Sequence, residues 1–146
     1  MGLDASVDYP LGLRRPELVA TPRGIPLSEL RLEAPGLDAA DLRATPGTLR
    51  LQAEVAAAAG RTQLAENLLR AAELAPLPDD LILEIYTALR PRRSSAGELE
   101  AWASRLDELG APRSAAFVRD ALAAYRRWSP CLSARRATPT PLPTPS

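Results

Sequence analysis

Between Arg70 and Ser95 the chain reads RAAELAPLPDDLILEIYTALRPRRSS, and the prolines of that stretch restrict what the chain around them can fold into. Proline lacks the N–H that an interior helical residue donates, and its ring disfavours helix at the residue before it. Pro76 and Pro78 therefore end one helix and open another, and Pro91 stops the second. The same punctuation recurs at Pro46, Gly60, Gly110 and Pro112. The chain from Thr45 to Trp128 is cut into short helices joined by tight corners.

Each segment carries its own start and stop signals. Ser28 to Glu33 fits one helical turn, and Asp38 to Arg43 another. Thr45 is placed to cap a helix with Pro46 at its first position, and Gly60 to end it. The Ala-rich run before Gly60 permits close approach of a neighbouring helix. The spacing of Leu64, Leu68, Ala71 and Ala75 predicts one buried face for the next helix, over 61–75. After Pro78, Asp79 and Asp80 fall in a first turn, where the macrodipole favours negative charge, and Leu81, Ile82, Ile85 and Leu89 form an apolar stripe. Ser94 or Ser95 caps a further helix, with Glu98 completing a capping box and Leu99, Trp102, Leu106 and Leu109 on one face. The last helix starts at Pro112. Its stripe is Phe117, Ala121, Ala124 and Trp128, flanked by Val118, Leu122 and Tyr125.

Residues 1–27 read differently. Pro10, Pro16, Pro22 and Pro26 discourage regular structure, yet Tyr9, Leu11, Leu13, Leu18, Val19 and Ile25 are too apolar for a free tail. An extended N-terminal arm laid on a surface satisfies both, the surface being either its own helices or another subunit. Residues 28–128 form the expected helical domain. Residues 129–146, rich in Pro, Ser and Thr, cannot bury enough to fold and are expected to be a disordered tail. The fold class expected is all-α.

The 146 residues suffice for one domain, but much of the 46% hydrophobic content is alanine, which buries little area. Such a body is expected to need a partner for its remaining apolar surface. The formal net charge is zero, from 18 basic and 18 acidic residues, and every basic residue is arginine. The arginines are scattered among acids and form no single-sign face, so nothing points to nucleic acid. The N-terminal MGLDASVDYPLG has neither the basic nor the apolar region of a signal peptide, and no apolar window is long enough to span a membrane. With Cys131 as the sole cysteine, the expected location is the cytoplasm.

The reactive inventory is short. There is no histidine and no lysine, Cys131 has no base beside it, and no glycine-rich phosphate loop occurs. Only carboxylates remain. Asp79 and Asp80 are adjacent in a helical first turn and point to different sides, which suits helix capping better than acid–base work. Glu73 and Glu84 read as partners of nearby arginines. No residue is assigned to catalysis, to a cofactor or to a metal.

Several strings, taken together and in order, resemble a known family. Asp8-Tyr9-Pro10-Leu11, Thr48-Leu49-Arg50-Leu51-Gln52-Ala53, Arg70-Ala71-Ala72-Glu73-Leu74, Pro78-Asp79-Asp80, Ile82-Leu83-Glu84-Ile85-Tyr86, Ala88-Leu89-Arg90-Pro91 with Arg93-Ser94, and Ala115-Ala116-Phe117-Val118-Arg119 resemble the small (gamma) subunit of adenosylcobalamin-dependent diol and glycerol dehydratases. The likeness covers about residues 8 to 128. It implies a helical subunit that contributes no catalytic residue and packs on a large barrel subunit. That subunit holds the substrate and its metal ion, and adenosylcobalamin lies between it and a medium subunit. The assembly would convert 1,2-propanediol or glycerol into an aldehyde with loss of water.

The chain departs from the family around Glu33 to Asp41, which looks shorter, and after Trp128. A longer N-terminal extension, associated in some diol dehydratase small subunits with packaging into a protein-shelled microcompartment, is not seen before Tyr9. With Thr21 to Leu27, this looks closer to the glycerol dehydratase branch. The expected role is a scaffold for the large subunit; the alternative is a free-standing helical adaptor that kept the fold without the enzyme.

Overall fold

A computed structural model of the chain describes residues 2–31, 36 and 38–133, with side chains through residue 128. Short turns come first: α1 (Ala5–Asp8), α2 (Leu11–Arg14) and 3-10 turns at Pro16–Leu18, Leu27–Glu29 and Ala39–Leu42. Then follow α3 (Pro46–Ala58), α4 (Thr62–Leu74), α5 (Asp79–Ala88), α6 (Ala96–Glu108) and α7 (Pro112–Ser133). Among the described residues the only extended pairing is an isolated bridge between Ala20 and Pro26. The all-α expectation holds.

The chain divides into two compact units, Met1–Ile82 and Leu83–Ser146, with the division inside α5. The stretch 28–128 is thus shared between them. Helix α7 runs to Ser133, five residues past the expected boundary at Trp128. The rest of the expected tail, 134–146, lies outside the described residues, as do Leu32 and Glu33 of the expected turn over 28–33.

Each unit contains a helical hairpin, and the two hairpins turn in the same way. At the end of α3, Gly60 takes a left-handed backbone (φ 72°), its N–H donates to the Ala57 carbonyl, and the Arg61 N–H reaches the Ala56 carbonyl at 2.8 Å. At the end of α6, Gly110 (φ 76°) donates to Asp107 and Ala111 donates to Leu106 at 2.8 Å. This paired bond pattern satisfies carbonyls that a helix end leaves open, and glycine enters it without the steric cost of a Cβ. The helix starts are built as the residues suggest. The Thr45 hydroxyl accepts from the Thr48 N–H at 3.1 Å, and Ser95 and Glu98 form a reciprocal capping box.

In the first unit the arm is not one extended run. Its turns fold back on themselves and lay α1 against α3, and Asp8 and Leu11 are both buried. Arg15 donates to the Asp8 carboxylate at 3.2 Å and to Glu17 at 2.6 Å. Further along, Arg23 donates through Nε to Asp41 Oδ1 at 2.7 Å, through Nη2 to Asp41 Oδ2, and to the Gly36 carbonyl at 2.8 Å. The Asp41 side chain is fully buried, and its Oδ2 also accepts from the Asp38 N–H at 2.9 Å. Arg43 donates twice to Asp79, at 2.8 and 3.3 Å. The hairpin core between α3 and α4 is Ala53, Ala56 and Ala65, with Leu68 and Leu69 packed against it.

The second unit buries larger side chains. Leu99 and Leu106 of α6 and Val118 of α7 are its largest fully buried side chains, alternating with Ala103, Ala111 and Ala115. Arg119 on α7 joins two carboxylates of α6, donating to Glu100 at 3.0 Å and to Asp107 at 2.9 Å. The Tyr125 hydroxyl donates to the Leu89 carbonyl at 2.6 Å, so α7 holds the end of α5.

Two predicted faces are rotated by one residue, about 100° around a helix. On α4 the buried positions are Ala65 and Ala72, with Leu64 43% exposed. On α7 Ala115, Val118 and Leu122 are buried, while Phe117 is 43% and Trp128 74% exposed. On α4 the alanine slides under the opposing helix and Leu64 is pushed to the rim; on α7 it is Val118, with Leu122, that takes the contact in place of Phe117.

Candidate interaction surface

The groups that drew attention in the sequence do not converge. Asp79 is engaged by Arg43, and Asp80 Oδ1 accepts from the Leu81 N–H at 2.9 Å; both carboxylates are exposed in the first turn of α5. Both lie in the first turn as their position suggested, with the Asp79 carboxylate taken up by Arg43. Among the described residues no group of three or more His, Cys, Asp or Glu side chains is placed to hold a metal. No helix there is long and apolar enough to cross a membrane.

What the first unit does build is a groove of about 440 Å³ between the arm and the α3–α4 hairpin. Tyr9 and Leu11 line it on the arm side, Ala56 and Ala59 on the α3 side, Leu64 and Leu68 on the α4 side. Its origin is the small-residue core. Alanines let α3 and α4 approach closely but cannot fill the notch above their contact, and Leu11 fills only part of it. Two polar residues, Gln52 and Arg61, also line it. Arg61 follows the Gly60 turn and is the sole charged lining residue; among the described residues no carboxylate lies within ion-pair distance of it. The Ala-rich run was legible as a helix contact, but the notch above it was not. The only signal was a leucine at 64 on a helix whose closest contact is made by alanines.

Other apolar side chains point outward. Tyr9 and Leu13 on the arm, and Leu83 and Tyr86 on α5, are all more than half exposed. Beside the α5 pair, a shallow depression in the second unit is lined by Leu83, Thr87 and Trp102, with Glu84 and Arg93 among its polar residues. Charge is local and balanced. The Arg15 hydrogen bond holds the Glu17 carboxyl below its ordinary range, and the Arg23 hydrogen bonds do the same for Asp41. The Glu100 and Asp107 carboxylates raise the Arg119 guanidinium. These groups are engaged within the fold, and beside them Tyr9, Leu13, Leu83 and Tyr86 leave apolar surface exposed.

Comparison with known proteins identifies the relatives of this arrangement. The dehydratase small subunit family matches residues 5–130. The propanediol dehydratase small subunit of Citrobacter freundii is 52% identical over 122 residues, covering 81% of this chain and 71% of the relative. That of Salmonella typhimurium strain LT2 is 50% identical over 122 residues, covering 81% and 70%. Both relatives are propanediol proteins, whereas Thr21 to Leu27 reads towards the glycerol branch. The match spans the arm, both hairpins and most of α7, so it rests on the whole described body rather than on one motif: the chain belongs to the dehydratase small subunit family.

Proposed function

We propose that the chain is the non-catalytic small subunit of an adenosylcobalamin-dependent diol dehydratase, a carbon–oxygen lyase of the cytoplasm, acting on 1,2-propanediol. The observation that carries this is the 52% identity to a propanediol dehydratase small subunit across both structural units. The chemistry agrees. A body without histidine or lysine, in which Asp41 and Asp79 are tied to arginines and Glu98 to a helix start, suits a scaffold better than an active site.

Among the described residues, the groove of about 440 Å³ is too small for adenosylcobalamin with its corrin, nucleotide and adenosyl groups. In this reading the cofactor and substrate belong to the large and medium subunits. The small subunit contributes shape, its exposed arm and α5 side chains covering apolar surface on the large subunit.

Co-expression with the large and medium subunits of a propanediol dehydratase, followed by size exclusion, tests this. The expected result is one high-mass complex containing all chains, with propanediol-dependent aldehyde formation after cobalamin is added. Elution of the small subunit alone at every concentration would overturn the proposal and leave the free-standing adaptor as the better description. A complex that turns over glycerol in preference to propanediol would move the reading to the glycerol branch.

A further inference from the structure

We infer that the groove between the arm and the α3–α4 hairpin is the socket for an amphipathic helical turn of the large subunit. That turn inserts apolar side chains and sets a carboxylate against Arg61. The inference rests on the scaffold reading above and names the surface and the chemistry through which it works.

Size and shape come first. A volume of about 440 Å³ exceeds one aliphatic side chain and suits neighbouring apolar residues on one helix face. Strand addition is disfavoured, because the described residues offer only the isolated bridge at Ala20 and Pro26 and no open sheet edge. The lining is aliphatic and aromatic, with small Ala56 and Ala59 allowing a partner backbone to come close.

Charge supplies the specificity. Arg15, Arg23, Arg43 and Arg119 each hold a carboxylate of this chain. Arg61, like several other arginines, has no ion-pair partner among the described residues, but it alone of the arginines lines the apolar groove. A guanidinium at the edge of an apolar socket favours an incoming carboxylate and disfavours an incoming cation, which fixes the register of the inserted turn. The partner segment is therefore a helical turn with apolar residues on one face and Asp or Glu at the end nearest Arg61.

Competition inside the assembled complex tests this. The large and medium subunits are co-expressed with equal amounts of wild-type and variant small subunit carrying different tags, and the ratio incorporated is measured. Ala59→Phe fills the groove from an exposed position, and Arg61→Glu reverses its charge next to a helix N-terminus that tolerates an acid. Each is expected to be out-competed at least about tenfold, which corresponds to removing a strong contact. Arg50→Glu makes the same charge change at an exposed α3 position outside the groove, and is expected to incorporate like wild type. Equal incorporation of Ala59→Phe or Arg61→Glu, with far-UV circular dichroism unchanged, overturns the socket while the scaffold reading stands. A loss with Arg50→Glu as large as with Arg61→Glu also overturns it. Absence of the wild-type chain from the complex overturns both.

Discussion

The two hairpins share a turn and differ in what lies between their helices. Gly60 and Gly110 close α3–α4 and α6–α7 with the same pair of backbone hydrogen bonds. Between α6 and α7, Leu99, Leu106 and Val118 interdigitate with alanines and fill the contact. Between α3 and α4 the core is alanine, with leucines only at its margin. One hairpin is closed by its own side chains. The other is unfinished, and is completed by the arm, by ion pairs between distant segments and, in our reading, by a partner. In our reading the same backbone motif thus serves stability in one place and recognition in the other, with side-chain volume deciding which.

Core truncation separates the two most sharply. Leu106 is 1% exposed, and Leu106→Ala is expected to cost about 2–5 kcal/mol in thermal or urea unfolding. Val55→Ala in the first hairpin removes less apolar volume, from beside an existing groove, and should cost about 1.5 kcal/mol. Equal losses would show that the alanine core is as tightly filled as the leucine core and would remove the distinction.

A smaller effect sharpens the contrast on the capping side. Ser95→Ala removes the hydroxyl that accepts from the Glu98 N–H and is expected to destabilise the second unit by about 1 kcal/mol. Hydrogen exchange should show the loss in the first turn of α6.

The most local effect belongs to the arm. Arg23→Ala deprives the buried Asp41 carboxylate of its ion-pair partner. Amide exchange over 24–31 and 38–42 should rise about tenfold or more, with little change in α6 and α7. The same tie gives an acid response. The Asp41 carboxyl is held below its ordinary value of 3.8 chiefly by Arg23, and Glu98 below 4.5 by its capping hydrogen bonds. Because the folded values are the lower ones, the stabilisation is complete above these ordinary values. It is lost as pH falls through them towards the depressed folded values. Wild-type protein should therefore lose arm protection below about pH 4, and Arg23→Ala should lose the part due to Asp41.

Helix boundaries were legible from the chain because they depend on local chemistry. Thr45, Gly60, Ser95 with Glu98, Gly110 and Pro112 act through their own or adjacent backbone groups, and the structure uses them as their types suggest. Burial was less legible. Leu64 was read as buried, and Phe117 as core or interface, because apolar spacing marks a face; Ala65 and Val118 lie deeper. Spacing reports which side of a helix is apolar; the width of the gap to the next helix selects which residue on that side enters it. The Arg23–Asp41 tie was also invisible, since nothing local pairs residues 18 positions apart.

By itself the sequence determined an all-helical chain, the places where α3 to α6 start and stop and where α7 starts, the poverty of reactive groups and the likeness to a dehydratase small subunit. These follow from backbone chemistry, composition and ordered identity, none of which needs a third dimension. Only the tertiary structure decided that α3–α4 and α6–α7 are equivalent hairpins with unequal cores, that the proline-rich arm folds back onto α3, and that a notch with Arg61 beside it remains open. The physical reason is volume: alanine secures close helix approach but leaves space above the contact, and that space exists only once two helices and an arm have been brought together.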